Sequence, residues 1–402
     1  MPTPRTVTPQ ERRARLARRH RLLPEERTDD VAAIADSLVA LHSTDPVTVH
    51  LSAMVRMRRP SVAAVERALY DDRSVVRHHA MRRTLWVGTP DVVRLVHVAA
   101  TAKLAGPEHR RTARLLAENG VNDPDAWLVD ARDQVRSALR DHGPMTARAL
   151  GDAVPALRHQ IVMAPGKSYS ATVSAHTRVL LNLGFEGEIV RTRPAGSWVS
   201  GAYAYTVMDD WLPGGLRPEE LTEREAAREV ALRWLRAFGP GTSTDLQWWT
   251  GWTKGTTTRA LADVGAVEVA LDEGPGWVAP DDVDEVAPVD GWVAVLPGLD
   301  PTTMGWKERG WYLPEAAADA FDRMGNAGPT LWVDGRVVGA WAQTAEGELR
   351  THLFEPLPAA RAAEVDERLA EVAAMLGDTR FTVRFPSPVS TALAKGLDAA
   401  SR

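Results

Sequence analysis

The chain has 402 residues, which is long for one hydrophobic core, so we expect two to four domains. Hydrophobic residues make up 44% and charged residues 25%, as in an ordinary globular protein. The absence of cysteine excludes disulfides, thiolate zinc sites and thiol nucleophiles. No apolar run has the length of a membrane span, and the basic N-terminus lacks the apolar core of a signal peptide. We therefore expect a cytoplasmic protein with no membrane partner.

The net charge of −5 is unevenly distributed along the chain. Residues 1–120 hold 21 Lys and Arg against 13 Asp and Glu, whereas the remainder holds 27 against 40. Nearly all of the cations are arginines, whose planar guanidinium suits phosphate and base edges. A basic segment on an acidic chain is typical of a protein with an anionic partner such as DNA. A chance imbalance in an Arg-rich chain explains the asymmetry equally well.

The first candidate site follows the first clear helical pattern. Apolar spacing predicts a helix over residues 31–41, and the stretch LHSTDP at 41–46 lies between it and the next helix. Asp45 directly before a proline is the pattern of a helix N-cap. Together with His42 and Thr44, the same carboxylate would also make a small polar site that faces a ligand. The residues alone leave both interpretations open.

The next segment, VVRHHAMRRTLWVG at 75–88, has the β-branched and aromatic content of strands. Helices followed by two short strands are in the order of a winged helix. If Arg82 and Arg83 lie on a strand they point to opposite faces, so one reaches a partner while the other pairs with an acid. The arginines within residues 12–21 could contact phosphates, and a solvated helix face is the alternative for that run.

An internal repeat supports the winged-helix prediction. LRDHGPMTARAL at 139–150 matches LRAFGPGTSTDL at 235–246, and in both copies Gly-Pro ends one helix and Thr caps the next. A further helix and two strands follow each copy, which is a tandem winged-helix pattern. Two unrelated helical hairpins are the alternative. Within the first copy, residues 169–184 include the presumed recognition helix, and the sequence leaves open whether it reads a groove.

After residue 290 the chain becomes rich in strands, with a tight hairpin turn expected at Asp334-Gly335. A helix over 359–376 and a last strand, RFTVRF at 380–385, complete a β-rich C-terminal domain. Eight of the 14 tryptophans lie between residues 234 and 311, where we expect them to form core and interdomain packing. The predicted domains are 1–130, 131–215, 216–288 and 289–402.

Many familiar catalytic signatures are missing. The sequence contains no Walker A loop, no GxGxxG after a strand, no HExxH and no GxSxG elbow. The adjacent histidines His78 and His79 would point to opposite faces of a strand, which is a poor metal site. We therefore expect neither a metal nor a cofactor.

Four stretches resemble the winged-helix DNA glycosylases of the AlkZ/YcaQ kind, which excise alkylated bases and unhook interstrand crosslinks. LHSTDP is similar to that family's LQxQDP, and MRRTLWVG at 81–88 is similar to MRGTLHLV. VLPGLDPTTMGWKER at 295–309 is similar to LLPxFDxxLLGYKDR, and VDGRVVGAW at 333–341 fits the family's last strands. The stretches occur in the family's order and cover most of the chain.

The resemblance implies an α+β fold: tandem winged-helix domains with a C-terminal β-barrel-like domain, C-shaped around a DNA channel. It also implies that two residues at i and i+2 activate and position a water for attack at the deoxyribose anomeric carbon. The family has two glutamines there, or a glutamine and an aspartate, and the matching residues here are His42 and Thr44. Physical chemistry allows His42 to accept a proton, Thr44 to hold the water and Asp45 to stabilise the sugar cation.

The implied partner is double-stranded DNA, bound by a monomeric protein. The hairpin that carries Arg82 and Arg83 would lie against the damaged duplex, and Arg110, Arg111 and Arg114 would contact phosphates. The implied activity is that of a monofunctional, metal-independent glycosylase acting on alkylated bases. Two alternatives are a DNA-binding relative without catalysis and a ligand-responsive transcriptional regulator. The lack of sustained heptads, which would pair subunits on palindromic sites, disfavours the regulator.

Overall fold

The computed structural model describes residues 4–167, 170–217 and 220–397 as a mixture of helices and small antiparallel sheets. The helices are α1 Pro9–Arg19, α2 Val31–Ser37, α3 Pro46–Met54, α4 Val62–Glu66, α5 Pro90–Val96, α6 Ala105–Glu118, α7 Pro124–His142, α8 Ala147–Ala153, α9 His176–Glu186, α10 Met208–Trp211, α11 Glu223–Phe238, α12 Ser243–Thr250, α13 Lys254–Val264, α14 Ala359–Leu376 and α15 Pro388–Ala394. The strands are β1 Leu41–His42, β2 Val76–His79, β3 Leu85–Gly88, β4 Met145–Thr146, β5 Gln160–Met163, β6 Ala171–Ser174, β7 Ile189–Pro194, β8 Tyr203–Val207, β9 Val267–Leu271, β10 Gly274–Val278, β11 Val293–Leu296, β12 Thr330–Val333, β13 Arg336–Gln343 and β14 Leu349–Leu353. Within the described ranges, no helix is both long and apolar enough to cross a membrane.

The same order of elements occurs three times along the chain. The first unit runs α2, β1, α3, α4, β2, β3, and its strands pair in the order β1–β3–β2. The second unit runs α7, β4, α8, α9, β7, β8, pairs as β4–β8–β7, and carries the β5–β6 hairpin before α9. The third unit runs α11, α12, α13, β9, β10, and a bridge from Gly241 to Trp277 of β10 stands in place of its first strand. In each unit the strand that comes last in the chain therefore lies in the middle.

The repeated Gly-Pro-x-Thr segments begin the second helix of the second and third units, as predicted. The Thr146 hydroxyl accepts a hydrogen bond from the Ala149 amide at 3.2 Å and caps α8. Thr242 caps α12 in a reciprocal arrangement with Asp245, whose carboxylate accepts from the Thr242 amide. These caps satisfy amide groups that have no partner inside the helix. The boundary predicted between residues 130 and 131 falls inside α7.

The first unit departs from the predicted helix over 31–41. The helix α2 ends at Ser37, because Val39 adopts a φ of 61° and turns the backbone away from the helical path. Leu41 and His42 then form β1 and pair with Val87 and Trp86 of β3. The first two residues of LHSTDP are therefore a short strand rather than a helix end.

Two of the N-terminal arginines, Arg12 and Arg15, are neither solvated nor placed to contact phosphates, so both predictions for that run are wrong for these two residues. These side chains are only 2% and 1% exposed, and they pair with carboxylates that lie far along the chain. Arg12 pairs with Glu273, and Arg15 pairs with Asp282 at 2.7 Å. Because a buried charge is tolerated only when it is paired and hydrogen-bonded, this network fastens α1 to the third unit.

Tryptophans fill the core, as expected from their clustering in the sequence. Five of the largest fully buried side chains are Trp86, Trp234, Trp249, Trp306 and Trp332. Trp86 of the first unit packs edge-to-face on Trp249 of the third, with ring centroids 5.6 Å apart. The first and third units therefore share one aromatic core with the C-terminal sheet, whereas the second unit folds around a separate cluster that includes Leu139, Leu150 and Leu183.

The C-terminal part is an open sheet, and the prediction of a barrel-like domain is wrong for the described residues. Its four strands pair in the order β11–β12–β13–β14, and a hairpin turn at Asp334-Gly335 joins β12 to β13 as predicted. Both turn residues have positive φ, 47° and 79°, which suits a two-residue turn. Residues 380–385 form no strand, and α14 and α15 pack on the sheet, α14 against β11 and β12 and α15 against β13 and β14.

Candidate functional site

The LHSTDP loop runs beside β3 and is fixed to it by hydrogen bonds. The Ser43 amide donates to the Leu85 carbonyl at 2.8 Å, and the Thr44 hydroxyl accepts from the Leu85 amide at 3.3 Å. Under the loop, the fully buried guanidinium of Arg77 donates from Nε to the Ser43 hydroxyl at 2.8 Å. These bonds fix the loop against β3, and of its three candidate residues Asp45 lines the cavity described below, whereas His42 and Thr44 do not. The sequence predicted their neighbourhood but not the strand that holds it.

His42 is a neutral imidazole in this setting. Its ring is 3% exposed and lies edge-to-face against Trp86, with centroids 4.7 Å apart. Burial, assisted by the charge of Arg82, lowers the pKa of His42 to about 3. The Thr44 amide donates to Nδ1 at 3.4 Å, which assigns the ring proton to Nε2. The nitrogen that could meet another molecule is then a donor.

Asp45 is the N-cap of α3, as predicted, and it has a second structural contact. One carboxylate oxygen accepts from the Val47 amide at 3.2 Å, and the other accepts from the Arg384 amide at 2.9 Å. Burial raises the pKa of Asp45 in spite of these two hydrogen bonds. A cavity of about 540 Å³ lies beside this carboxylate, between α3, the end of β13 and the C-terminal segment.

Arg82 and Arg83 form the tip of the β2–β3 hairpin, and the assumption that they lie on a strand is wrong. Met81–Arg83 is a 3₁₀ turn, with φ of 53° at Arg82 and 63° at Arg83. The Arg82 guanidinium lies 4.0 Å from the ring centre of Trp248, and burial, with the charge of Arg309, lowers the pKa of Arg82 to about 10. Arg83 is half exposed and pairs with an acid, Glu108, as one of the two was expected to do.

Glu108 is a residue that the sequence reasoning missed. This carboxylate is 2% exposed and lies within 4.0 Å of arginines from three elements: Arg83 of the hairpin, Arg111 of α6 and Arg178 of α9. Three guanidinium groups around one carboxylate leave an excess of positive charge there. The signal in the sequence is a single acid inside the basic stretch EHRRTAR.

The predicted phosphate contacts Arg110, Arg111 and Arg114 are exposed along α6. The adjacent helix α9, the presumed recognition helix, packs against α6, where Asn182 donates to the Thr112 hydroxyl at 2.8 Å. Arg178 of α9 accordingly points towards Glu108 of α6. Residue 169, the first of the segment 169–184 for which the sequence leaves groove reading open, lies outside the described residues.

The geometry defines a class of protein with three repeated helix-and-strand units, an arginine-rich hairpin region and a polar loop beside a cavity. A family model of AlkZ-like DNA glycosylases matches residues 35–375, and the chain belongs to this family. The structure is similar to that of Streptomyces sahachiroi DNA glycosylase AlkZ, with a TM-score of 0.71 and 22% sequence identity. That match covers 94% of this chain and 99% of the other, and it shows a shared fold. No curated protein matches the sequence.

Proposed function

We propose that the protein is a monofunctional DNA glycosylase that excises alkylated bases from double-stranded DNA. The observation that carries the proposal is the position of Asp45, next to His42 and Thr44 and at the wall of a cavity of about 540 Å³, in a chain of the AlkZ-like family. The three repeated units are winged helices in this proposal, since their helix and strand order is that of the motif. Together with the C-terminal sheet they would curve around the duplex.

The proposed reaction breaks the bond between the anomeric carbon and the base nitrogen. The bonding electrons leave with the alkylated base, whose positive charge they neutralise, and water adds to the sugar carbon. Because the transition state resembles an oxocarbenium ion, an adjacent carboxylate lowers its energy. Asp45 supplies that charge in the proposal, and Thr44 holds the water by its hydroxyl.

The geometry favours Asp45 over His42 as the group that takes the proton of the water. The Nδ1 lone pair of His42 already accepts from the Thr44 amide, and a pKa of about 3 makes the ring a weak base. Each oxygen of Asp45 accepts one backbone hydrogen bond and keeps lone-pair capacity, and burial raises its pKa. His42 then orients the water by donating from Nε2.

Single-turnover excision of 7-methylguanine, or of a bulkier N7-alkyl adduct, from duplex DNA tests this assignment. We expect wild-type protein to release the free base, and Asp45→Asn to slow release by about 10²-fold or more. Asparagine is an equally good N-cap, so α3 stays capped. We expect His42→Gln, which introduces the residue of the family pattern, to retain most of the rate.

Duplex affinity separates the alternatives. Salt-sensitive binding to duplex DNA without release of any base would indicate a DNA-binding relative that lacks catalysis. Equal rates of base release in wild type and Asp45→Asn would show that Asp45 takes no part in the reaction. Binding confined to one duplex sequence and changed by a small molecule, without release of any base, would favour the regulator.

The DNA contacts make a separate prediction. We expect Arg110→Gln with Arg114→Gln to weaken binding to all duplex sequences alike and to reduce the slope of log affinity against log salt by about 0.9 for each lost phosphate contact. Arg323→Gln, at an exposed arginine on the loop after residue 321, is the matched control and should leave the slope unchanged. An unchanged slope in the double variant would place the duplex elsewhere on the surface.

A further inference from the structure

The connection between α14 and α15 lies against the LHSTDP loop. It follows the end of the family match at residue 375, and residues 377–387 form neither helix nor strand. Arg384, in a bend of this connection, donates its backbone amide to one carboxylate oxygen of Asp45 at 2.9 Å. Its guanidinium donates to the Thr44 carbonyl at 3.3 Å. The connection therefore contacts the loop through its backbone and through a side chain.

Gln343, at the end of β13, holds the connection in place. Its Nε2 donates to the Thr379 carbonyl and its Oε1 accepts from the Phe381 amide, each at 3.1 Å. Gln343 is only 7% exposed, and Trp341 of the same strand packs edge-to-face on Phe381. The buried side-chain amide thus binds backbone groups that a neighbouring strand would otherwise satisfy. Gln343 thereby sets the path of the backbone three residues before Arg384.

The chain around Arg384 is restricted on its other sides as well. Gly201, in the β7–β8 connection, leaves room for the guanidinium, because a β-carbon there would collide with Nη2 of Arg384. Three residues after Arg384, the Ser387 hydroxyl accepts from the Ser390 amide at 3.2 Å and caps α15. The Arg384 amide is therefore fixed from both directions along the chain.

Two amides from separate parts of the chain define the orientation of the Asp45 carboxylate. The Val47 amide of α3 donates to one oxygen at 3.2 Å, and the Arg384 amide donates to the other. The torsion that rotates an aspartate carboxylate is broad, so one hydrogen bond alone leaves a range of orientations. A reacting group gains rate when it is held in one geometry before the substrate arrives. The second amide supplies that restriction.

We propose that Gln343 and the Arg384 amide are positioning groups for Asp45: Gln343 fixes the α14–α15 connection, and the connection presents its amide to the carboxylate. The inference rests on the proposed function in one respect, namely that Asp45 acts on the substrate. Both groups act through Asp45. A part of the chain beyond the family match thus completes the candidate site.

Arg384→Pro compared with Arg384→Ala isolates the amide. Both variants lose the guanidinium, but only proline lacks the backbone N–H. In single-turnover excision of 7-methylguanine we expect the proline variant to be slower than the alanine variant by about tenfold or more. Their affinities for the duplex should agree within about twofold, because the two variants carry the same charge. If both variants release the base at equal rates, the proposal is overturned.

The titration of the Asp45 carboxyl group reports the same hydrogen bond without any chemistry. Carbon-13 NMR of labelled aspartate follows the titration, and the loss of one signal in Asp45→Asn identifies it. The Arg384 amide stabilises the ionised form, so we expect the pKa of Asp45 to be about one unit higher in Arg384→Pro than in Arg384→Ala. The guanidinium charge, which also lowers this pKa, is absent from both variants. An equal pKa in the two would contradict the proposal.

Gln343→Leu tests the remote side chain in a protein that keeps Arg384. We expect it to raise the pKa of Asp45 by about half a unit or more, because the Arg384 amide is no longer held at the carboxylate. Thr146→Ala, which removes the cap of α8 in the second unit, is the matched control for a lost structural hydrogen bond and should leave this pKa unchanged.

The outcomes separate the positioning role from the catalytic one. An unchanged pKa of Asp45 in Gln343→Leu would show that the connection needs no support from this side chain, and would overturn the role of Gln343. The expected pKa changes in a protein that releases no base would support the positioning of Asp45 and refute the catalytic proposal alone.

Discussion

Asp300→Ala is expected to lower the free energy of unfolding by about 3–5 kcal/mol, the usual loss when one partner of a buried ion pair is removed. Asp300 and Arg56 are both 0% exposed, and two hydrogen bonds of 2.8 and 2.9 Å join them. Ser52 and the Thr302 amide also donate to the carboxylate. Burial raises the pKa of Asp300, but the charge of Arg56 and these hydrogen bonds outweigh burial and hold the pKa below its usual value. The variant leaves a guanidinium buried without its counter-ion.

Chemical denaturation monitored by circular dichroism measures this loss. Asp319→Ala, which removes an exposed carboxylate from a nearby 3₁₀ turn, is the matched control and should change stability by less than about 0.5 kcal/mol. We expect Arg56→Met combined with Asp300→Leu to recover much of the loss, because the double variant buries no charge. A loss below about 1 kcal/mol for Asp300→Ala would contradict the account.

The same network explains one of the stretches that resembles the family. Asp300 lies in the centre of VLPGLDPTTMGWKER, and the stretch continues to Trp306, whose indole donates to the Phe238 carbonyl at 3.1 Å. The amides of Lys307 and Glu308 then donate to Asp245 of the third unit, each at 2.8 Å. The stretch therefore joins the C-terminal sheet to the first and third units. Its pattern reflects packing rather than contact with a substrate.

Local signals in the sequence predicted local structure well. The Gly-Pro-x-Thr repeat, the Asp45 cap and the Asp-Gly hairpin turn depend on residues within a few positions of each other, and each is present. Predictions failed where distant partners decide. Arg12 and Arg15 were predicted to be solvated or to face DNA. Their partners Glu273 and Asp282 lie more than 260 positions away, and no pattern in the sequence indicates this pairing.

The sequence analysis named candidate residues for the site, but it did not predict how the chain arranges the segments around them. The sequence RFTVRF has the alternating pattern of a strand. However, the backbone amides of Phe381 and Arg384, which a neighbouring strand would otherwise bind, donate to the side chains of Gln343 and Asp45. No spacing in the sequence indicates that this segment reaches LHSTDP. The same holds for Glu108, whose three arginine neighbours come from separate elements.

The protein is expected to lose most of its stability between pH 6.5 and pH 5. Six of its 11 histidines are at most 6% exposed: His20, His42, His50, His78, His79 and His97. Burial lowers the pKa of each, to about 3 for His20, His42, His50 and His79, to about 4 for His97, and well below its usual value for His78. For five of them a neighbouring arginine lowers the pKa further: Arg56 for His20, Arg82 for His42, Arg77 for His50, Arg191 for His79 and Arg217 for His97.

The direction of the effect follows from the lowered pKa values. Each of these histidines stays neutral in the folded chain but titrates near its ordinary pKa of about 6.5 in the unfolded chain. The folded chain therefore keeps its full stability above about pH 6.5 and loses stability as the pH falls, because only the unfolded chain takes up the proton. At pH 5.5 each such histidine favours unfolding by about 1.4 kcal/mol, so the six together amount to about 8 kcal/mol. The free energy of unfolding of a native protein is about 5–15 kcal/mol in total, so this loss is comparable with the entire stability of the fold.

Urea unfolding at pH 7.5, 6.5 and 5.5 measures the loss, and the pH slope reports about five to six protons taken up on unfolding near pH 5.5. His50→Leu should reduce that uptake by about one proton, since Nε2 of His50 is buried without a partner and the leucine keeps contact with Trp198. His142→Gln, at the exposed end of α7, is the control and should leave the slope unchanged. Equal stability at pH 7.5 and 5.5 would mean that the buried imidazoles accept protons without unfolding. In that case the arginines beside them would have to move away from the rings while the fold persists.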